Sequence, residues 1–250
     1  MSTVTPTMQL PGLSRQEAAA LAATENRRVL DLVRSFDAED WSRPTDCSEW
    51  DVRALVCHVL GAFEGFSSLP QLLHQAVAGQ RAARGRPHID GMTEVQVRDR
   101  AALTPEQLVE RLAVAGPRAA RSRSRVPGPV RRLSMREQLP DGTSERWRVD
   151  YLLDVVLTRD TWMHRVDLAR ATGRELLLTA EHDGRVVADV VTEWASRHGQ
   201  PYALVLQGPA GGRFGQPEAA EEITIDAVEF CRVLSGRADG AGLLRHPVPF

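Results

Sequence analysis

The chain of 250 residues contains no lysine, so all 31 of its basic residues are arginine. Without lysine, Schiff-base catalysis, lysine-bound pyridoxal phosphate and a phosphate-loop lysine are all excluded. The sequence also lacks a G-x-G-x-x-G that follows a strand pattern, and it lacks a G-x-S-x-G. These absences argue against nucleotide cofactors and against serine-hydrolase chemistry.

Cysteine is scarce and long apolar runs are missing. Cys47, Cys57 and Cys231 are an odd number, are scattered, and never form a C-x-x-C, which argues against a disulfide scaffold and a thiolate zinc site. No run approaches the roughly 20 apolar residues that span a bilayer, and the first residues show no export signal. A net charge of −2 gives no reason to bind nucleic acid. We therefore expect a monomeric cytoplasmic protein that contacts neither nucleic acid nor membrane.

The hydrophobic pattern divides the chain into three parts. Residues 1–13 lack periodicity and predict a flexible tail. Residues 14–173 carry four helical patterns and predict a four-helix bundle, whereas residues 174–250 predict a small α/β domain. The fold class predicted is thus α plus small α/β.

Capping residues and periodicity predict the individual elements. The helices of the bundle are expected from Ser14 to about Phe36, from near Glu49 (capped by Ser48) into the 80s, from Thr104 to about Arg121, and from Trp147 to Ala171. Residues 81–91 and 125–147 are interpreted as polar or Pro/Gly-rich loops. In the C-terminal part, strands are expected at Glu175–Thr179, Ala203–Gln207 and Ile223–Ile225, with helices over residues 180–198 and over AVEFCRVLSGR.

The fourth predicted helix carries ionisable groups on its apolar side. One arc of the helical wheel contains Val149, Leu153, Val156, Leu157, Met163 and Leu168, and Asp160, His164 and Asp167 lie within it, opposite Asp154, Thr158, Thr161 and Arg165. Burying an unpaired charge costs several kcal/mol, so such groups are paired or bind a metal.

Three residues are candidate metal ligands. Asp160 and His164 are one helical turn apart, which places a carboxylate and an imidazole on one face. His58 on the second helix is the third candidate, because facing helices of a bundle can share a metal. Gly61 and Gly65 beside it are expected to leave space for a substrate. Three ligands with an open fourth position are typical of catalytic zinc; a hydrogen-bonded histidine and an intrahelical ion pair are the alternatives.

Two segments resemble the signature of the mycothiol-dependent maleylpyruvate isomerase family, within the DinB-like four-helix superfamily. They are T-D-C-S-E-W-D-V-R-A-L-V-C-H-V-L and T-R-D-T-W-M-H-R-V-D-L-A-R-A-T-G, and E-F-C-R-V-L-S-G-R with G-L-L-R-H-P-V-P-F is similar to the family's C-terminal domain. The resemblance implies a DinB-like up-down bundle, a sterol-carrier-like C-terminal domain, and one zinc or other divalent ion bound by His58, Asp160 and His164. The family usually has Glu at the position of Asp160, whose side chain is one methylene shorter.

The resemblance also implies mycothiol as a thiol cosubstrate. Its thiolate would either isomerise a cis-enoyl keto acid such as maleylpyruvate or become S-conjugated to a small electrophile that bears a carboxylate. Arg237 and then Arg232 are the candidates for binding that carboxylate, since the resemblance places a functional arginine in the C-terminal domain and guanidinium groups bind carboxylates in plane. Asp167 could orient a ligand or pair with Arg170. A non-catalytic module whose C-terminal domain holds an apolar ligand remains the other class of function.

Overall fold

The computed structural model describes residues 12–138, 143–215 and 222–250. The described chain divides into a helical unit, Arg15–Leu176, and a C-terminal unit that contains Leu177–Phe250. A helical bundle followed by a small α/β part agrees with the predicted fold class. The tail predicted over residues 1–13 lies almost entirely outside the described residues, and the division after Leu176 follows shortly after the predicted one at Gly173.

The helical unit is a four-helix bundle with an added helical pair and a hairpin. Its elements are α1 (Arg15–Arg34), α2 (Val52–Ser67), α3 (Leu69–Ala83), α4 (His88–Arg98), α5 (Pro105–Arg125), α6 (Gly128–Arg131), β1 (Ser134–Gln138), β2 (Ser144–Arg148), α7 (Val149–Tyr151), a π-helical turn (Leu152–Val156) and α8 (Leu157–Thr172). Helices α1 and α2 each pack against both α5 and α8, and these four form the bundle. Helices α3 and α4 pack against each other and against α2.

The second predicted helix is in fact two helices, and a third follows them. Asp51, and not Ser48, caps α2 by accepting a hydrogen bond from the Ala54 amide at 2.8 Å. The helix is then interrupted at Ser68, which has an extended conformation. Helix α3 begins directly after it, with a proline in its first turn. Helix α4 was not predicted, because its first residues were interpreted as part of a polar loop. It approaches α3 closely, since a Cβ on Gly91 would lie 2.0 Å from the Gly79 carbonyl oxygen.

A β-hairpin replaces the loop predicted before the fourth helix of the bundle. Strands β1 and β2 pair antiparallel, with Ser134 opposite Arg148 and Met135 opposite Trp147. Burial alternates along both strands, as expected when one face of a hairpin is covered. Because Trp147 lies in β2, the helical segment begins later than predicted, at Val149.

Helix α8 is buried on nearly all sides. Thr158, Thr161 and Arg165, which were predicted to face away from the core, are buried as well. Arg165 donates to both carboxylate oxygens of Glu25 on α1, at 2.6 and 3.3 Å. A buried ion pair of this kind satisfies two charges that could not be left alone. The side chains on the polar side of the helical wheel are therefore covered by the rest of the protein and do not face solvent.

The C-terminal unit is a three-stranded sheet with helices. It contains a π-helical turn (Ala180–Gly184), α9 (Arg185–His198), β3 (Ala203–Gln207), β4 (Gly212–Gly215), β5 (Glu222–Asp226), α10 (Ala227–Leu234) and a 3-10 turn (Gly242–Arg245). Strand β3 is central, antiparallel to β4 and parallel to β5. The core of the C-terminal unit is apolar and includes Val187, Val190, Trp194, Leu204 and Phe230.

In this part of the chain one predicted strand is absent and one observed strand was not predicted. The strand predicted at Glu175–Thr179 is wrong, since the segment has no regular structure and its Leu177 is exposed. Strand β4 was missed because glycines at both ends carry no strand preference. No helix in the described ranges is long and apolar enough to cross a membrane.

Candidate metal centre

The bundle brings His58 of α2 together with Asp160 and His164 of α8. The two oxygens of Asp160 face one imidazole each: Oδ1 lies 3.2 Å from His164 Nε2 and Oδ2 lies 3.9 Å from His58 Nε2. One ligand atom from each of the three residues lies within 4.8 Å of the others. The three candidate ligands that the sequence singled out therefore converge in space.

These donors fit a tetrahedral divalent ion. With metal–ligand bonds of ~2.0–2.1 Å, neighbouring ligand atoms around tetrahedral zinc are ~3.3 Å apart. The two nitrogen–oxygen distances of 3.2 and 3.9 Å lie at and slightly above that spacing. Two imidazoles and one carboxylate are also the donor chemistry that catalytic zinc sites use.

The site is buried but has one partly open side. His58 and His164 are each 6% exposed, whereas the side chain of Asp160 is 26% exposed. Asp160 was predicted to face the core, and its partial exposure marks the side of the cluster that is accessible to solvent.

His164 is supported by a second carboxylate. Its Nδ1 lies 3.1 Å from Asp167 Oδ2, and Cys47 Sγ donates to the same oxygen at 3.6 Å. Burial by itself would lower the pKa of His164, but Asp160 and Asp167 raise that pKa well above its ordinary value. Of the two contacts expected for Asp167, the one with His164 is present, whereas Arg170 pairs with Asp46 at 3.0 Å.

His58 has a different environment. Its ring stacks on Trp50 at a centroid distance of 5.0 Å and meets the His164 ring edge-on at 4.9 Å. Burial lowers its pKa to about 4, the positive charge of His164 adds to this, and Asp160 opposes it. A neutral imidazole at physiological pH is the form that binds a metal.

The space expected beside His58 is filled by protein. A Cβ on Gly61 would lie 2.5 Å from Cβ of Gln96, and one on Gly65 would lie 2.8 Å from Oε1 of Gln75. The interpretation of these glycines as a substrate cavity is thus wrong, because the side chains of α3 and α4 occupy it. Sequence reasoning missed both glutamines, because the helix that carries Gln96 was itself missed and Gln75 lay in the continuation predicted for the second helix.

The two candidate arginines belong to the C-terminal unit. Arg232 on α10 is buried and donates to Glu229 at 2.6 and 3.0 Å. Arg237 follows the end of α10, where its amide donates to the Arg232 carbonyl at 2.8 Å. Local pairing with Glu229 gives Arg232 a role in its own helix.

Comparisons with known proteins agree with this architecture. The family model described as the mycothiol maleylpyruvate isomerase N-terminal domain matches residues 22–169, and no curated protein sequence matches. The crystal structure of a mycothiol-dependent maleylpyruvate isomerase is similar with a TM-score of 0.55 and 16% identity over 92% of this chain and 94% of that one. A mutant of the mycothiol-dependent maleylpyruvate isomerase gives a TM-score of 0.56 and 16% identity, with 92% and 93% covered.

At this identity the two structures establish the fold alone. The family match is the stronger finding, because it spans more than half of the chain. The matched segment includes His58, Asp160, His164 and Asp167. The chain belongs to the mycothiol maleylpyruvate isomerase family.

Proposed function

We propose that this protein is a zinc-dependent enzyme that uses mycothiol to isomerise a small cis-enoyl keto acid such as maleylpyruvate. The convergence of His58, Asp160 and His164 inside the matched segment is the observation that supports this most. Three protein ligands with an accessible side are typical of catalytic and not structural zinc.

Each residue of the site has a definite task in this proposal. His58 and His164 bind the ion through Nε2, and Asp160 binds it through a carboxylate oxygen. A zinc ion with an open position keeps a coordinating thiol deprotonated at neutral pH. Asp167 holds the His164 ring in place through Nδ1, which fixes the orientation of a ligand.

The thiolate of mycothiol is the nucleophile, so no protein cysteine takes part. It adds to one carbon of the conjugated double bond, and the electron pair moves onto the neighbouring carbonyl. The former double bond then rotates as a single bond. Return of the electron pair breaks the carbon–sulfur bond, so the thiolate leaves and the trans product remains.

Arg237 is proposed to bind the substrate carboxylate, with Arg232 second. A guanidinium can donate two parallel hydrogen bonds to a carboxylate. Arg232 is the weaker candidate because Glu229 already engages it. We place the reaction in the cytoplasm, where low-molecular-weight thiols stay reduced.

The test is an activity assay on the purified full chain. Protein loaded with zinc is mixed with mycothiol and maleylpyruvate, and the cis and trans acids are followed by NMR. Turnover that needs both zinc and mycothiol would support the proposal. A stable mycothiol adduct, detected by mass spectrometry with a substrate that carries a leaving group, would assign S-conjugation instead. Metal-free protein that carries lipid would favour the binding module.

A further inference from the structure

Two hydrogen-bonded glutamines are buried against the helix that carries His58, and they lie on helices that contribute no proposed metal ligand. Gln75 on α3 is 1% exposed and Gln96 on α4 is 4% exposed. Gln75 Nε2 donates to the Gly61 carbonyl of α2 at 2.8 Å, and Gln96 Nε2 donates to Gln75 Oε1 at 3.0 Å. A buried primary amide needs partners for both its donor and its acceptor ends, so this chain of bonds has energetic consequences.

The direction of the chain is set at Gly61. A backbone carbonyl can only accept, so Gln75 must present its NH₂ group to Gly61 and its oxygen to Gln96. Gln96 must then use its NH₂ group on Gln75, which leaves Oε1 as its remaining end. Neither amide can be reversed without placing two acceptors or two donors against each other.

The remaining end of the chain meets the unused nitrogen of His58. Within the described ranges, Gln96 Oε1 and His58 Nδ1 are both buried and neither has a hydrogen-bond partner of normal geometry. The two groups are neighbours, because the stem of Gln96 packs against Gly61, which lies one helical turn after His58 on α2; consistent with this, the Gln96 side chain raises the pKa of His58 against the larger lowering by burial. One atom is an acceptor and the other becomes a donor when it carries the ring proton, so the pair is complementary.

The surrounding residues hold Gln96 in this position. Arg100 donates to the Gln96 carbonyl at 2.8 Å and to Glu64 of α2 at 2.6 Å, which ties the end of α4 to α2. Gly61 has no side chain where the stem of Gln96 passes, since a Cβ there would be 2.5 Å away. The absence of a side chain at Gly61 is therefore required by the glutamine.

We propose that Gln96, oriented by Gln75, is a positioning residue that keeps the ring proton of His58 on Nδ1 and so leaves the Nε2 lone pair available to a metal ion held with Asp160 and His164. A metal-binding histidine ordinarily donates its other ring N–H to a fixed acceptor. For His164 that acceptor is the Asp167 carboxylate, and for His58 it is the neutral amide oxygen of Gln96. The inference rests on the metal site proposed above.

The first measurement uses the metal-free full chain. ¹⁵N NMR of the histidine side chains at neutral pH distinguishes the two neutral ring tautomers. His58, assigned by its loss in His58→Ala, should carry its proton on Nδ1. In Gln96→Leu it should shift toward the Nε2–H form, and in Gln96→Glu, which keeps an acceptor, it should stay on Nδ1.

The second measurement is a titration with cobalt(II) alone, followed by visible absorption. Gln96→Leu should raise the dissociation constant ~10–100-fold, the usual cost of losing an outer partner of a ligand histidine. Gln96→Glu should bind more tightly than Gln96→Leu, because it keeps an acceptor for His58 Nδ1 and loses only the donor to Gln75 Oε1. Asn26→Leu is the matched control, because Asn26 is an equally buried amide that donates to a glycine carbonyl, Gly116, at 2.9 Å; it should lose stability in urea yet keep its affinity for cobalt.

The results separate this inference from the proposed function. Wild-type protein that binds neither cobalt nor zinc would overturn the metal site, and the tautomer of His58 would then decide the inference alone. Tight binding by the wild type with equal affinity in Gln96→Leu would overturn the inference and leave the metal site intact. A His58 proton on Nε2 in the metal-free wild type would also overturn it.

Discussion

The His58 and His164 rings of the helical unit have centroids 4.9 Å apart, and the His198 and His246 rings of the C-terminal unit have centroids 5.9 Å apart. Asp160 lies beside both rings of the first pair. The second pair lies among aromatic rings, with Trp194 4.4 Å and Tyr202 5.6 Å from His198. Across the described ranges, the sets of three metal-ligating groups include the first pair and not the second.

The difference shows that neighbouring histidines do not by themselves make a metal site. His198 Nδ1 accepts a hydrogen bond from the Gln200 amide at 3.0 Å, and its ring packs edge-on against Trp194, which is a structural role. His58 and His164 share a carboxylate that can balance part of the charge of a divalent ion. The comparison therefore supports the proposed metal site at the first pair, whereas the contacts of the second pair are packing contacts.

The largest effect is expected from replacing the histidines of the first pair. His58→Ala and His164→Ala should each abolish zinc retention and activity, because two remaining ligands hold zinc weakly, while circular dichroism stays helical. His198→Ala and His246→Ala are the matched controls and should each retain about one equivalent of zinc per chain by elemental analysis. If the His198 and His246 variants lost as much zinc as the His58 and His164 variants, the assignment of the metal site to the first pair would be wrong.

The next prediction tests the carboxylate that distinguishes the pairs. Asp160→Ala should lose more affinity than the ~10–100-fold cost of an outer-partner change, and Asp160→Glu should be tolerated because an oxygen donor remains. Zinc affinity of the two variants, measured by competition with a chelator, checks this. Full zinc in Asp160→Ala together with loss in Asp167→Ala would show that Asp167 is the ligand instead.

A third prediction asks whether the C-terminal unit contributes to catalysis through Arg237. Arg237→Ala should lower kcat/KM by roughly 10²-fold, equivalent to about 2–3 kcal/mol, if a bidentate carboxylate contact is lost. Arg237→Lys should recover little, since an ammonium group cannot reproduce the planar fork.

Steady-state kinetics of the full chain with zinc bound checks this third prediction. Arg232→Ala is its control and should have a smaller effect on kcat/KM, because Glu229 already occupies that guanidinium. If Arg232→Ala were the more damaging variant for turnover in folded protein, the two assignments would have to be exchanged.

The smallest effect concerns pH and the second pair. Burial and the charge of His246 lower the pKa of His198 below its ordinary value of 6.5. The unfolded chain therefore takes up a proton at His198 before the folded chain does, so stability falls as pH decreases from above 6.5 toward the folded-state pKa. His198→Gln should flatten the dependence of the urea midpoint on pH over that range, and an unchanged slope would contradict the assignment.

Within single elements, the sequence was a good guide. The i, i+4 spacing of Asp160 and His164 places both side chains on one face of any regular helix, and the structure brings them to His58. The bundle and the small α/β part followed from periodicity. Asp51 shows the limit even of local rules, because Ser48, Asp51 and Thr45 are all capping types and the chain conformation selects one.

Contacts between distant segments were decided by the tertiary structure. Thr158 and Arg165 look like a solvent face on a helical wheel, yet α8 lies in the middle of its unit and Arg165 meets Glu25. Gln75 reaches Gly61, and Gln96 reaches the turn that carries His58, only because α3 and α4 cross at Gly79 and Gly91 and pack on α2. Periodicity reports which side of an element is covered, but the covering residues depend on crossing angles and close approaches that no single segment encodes.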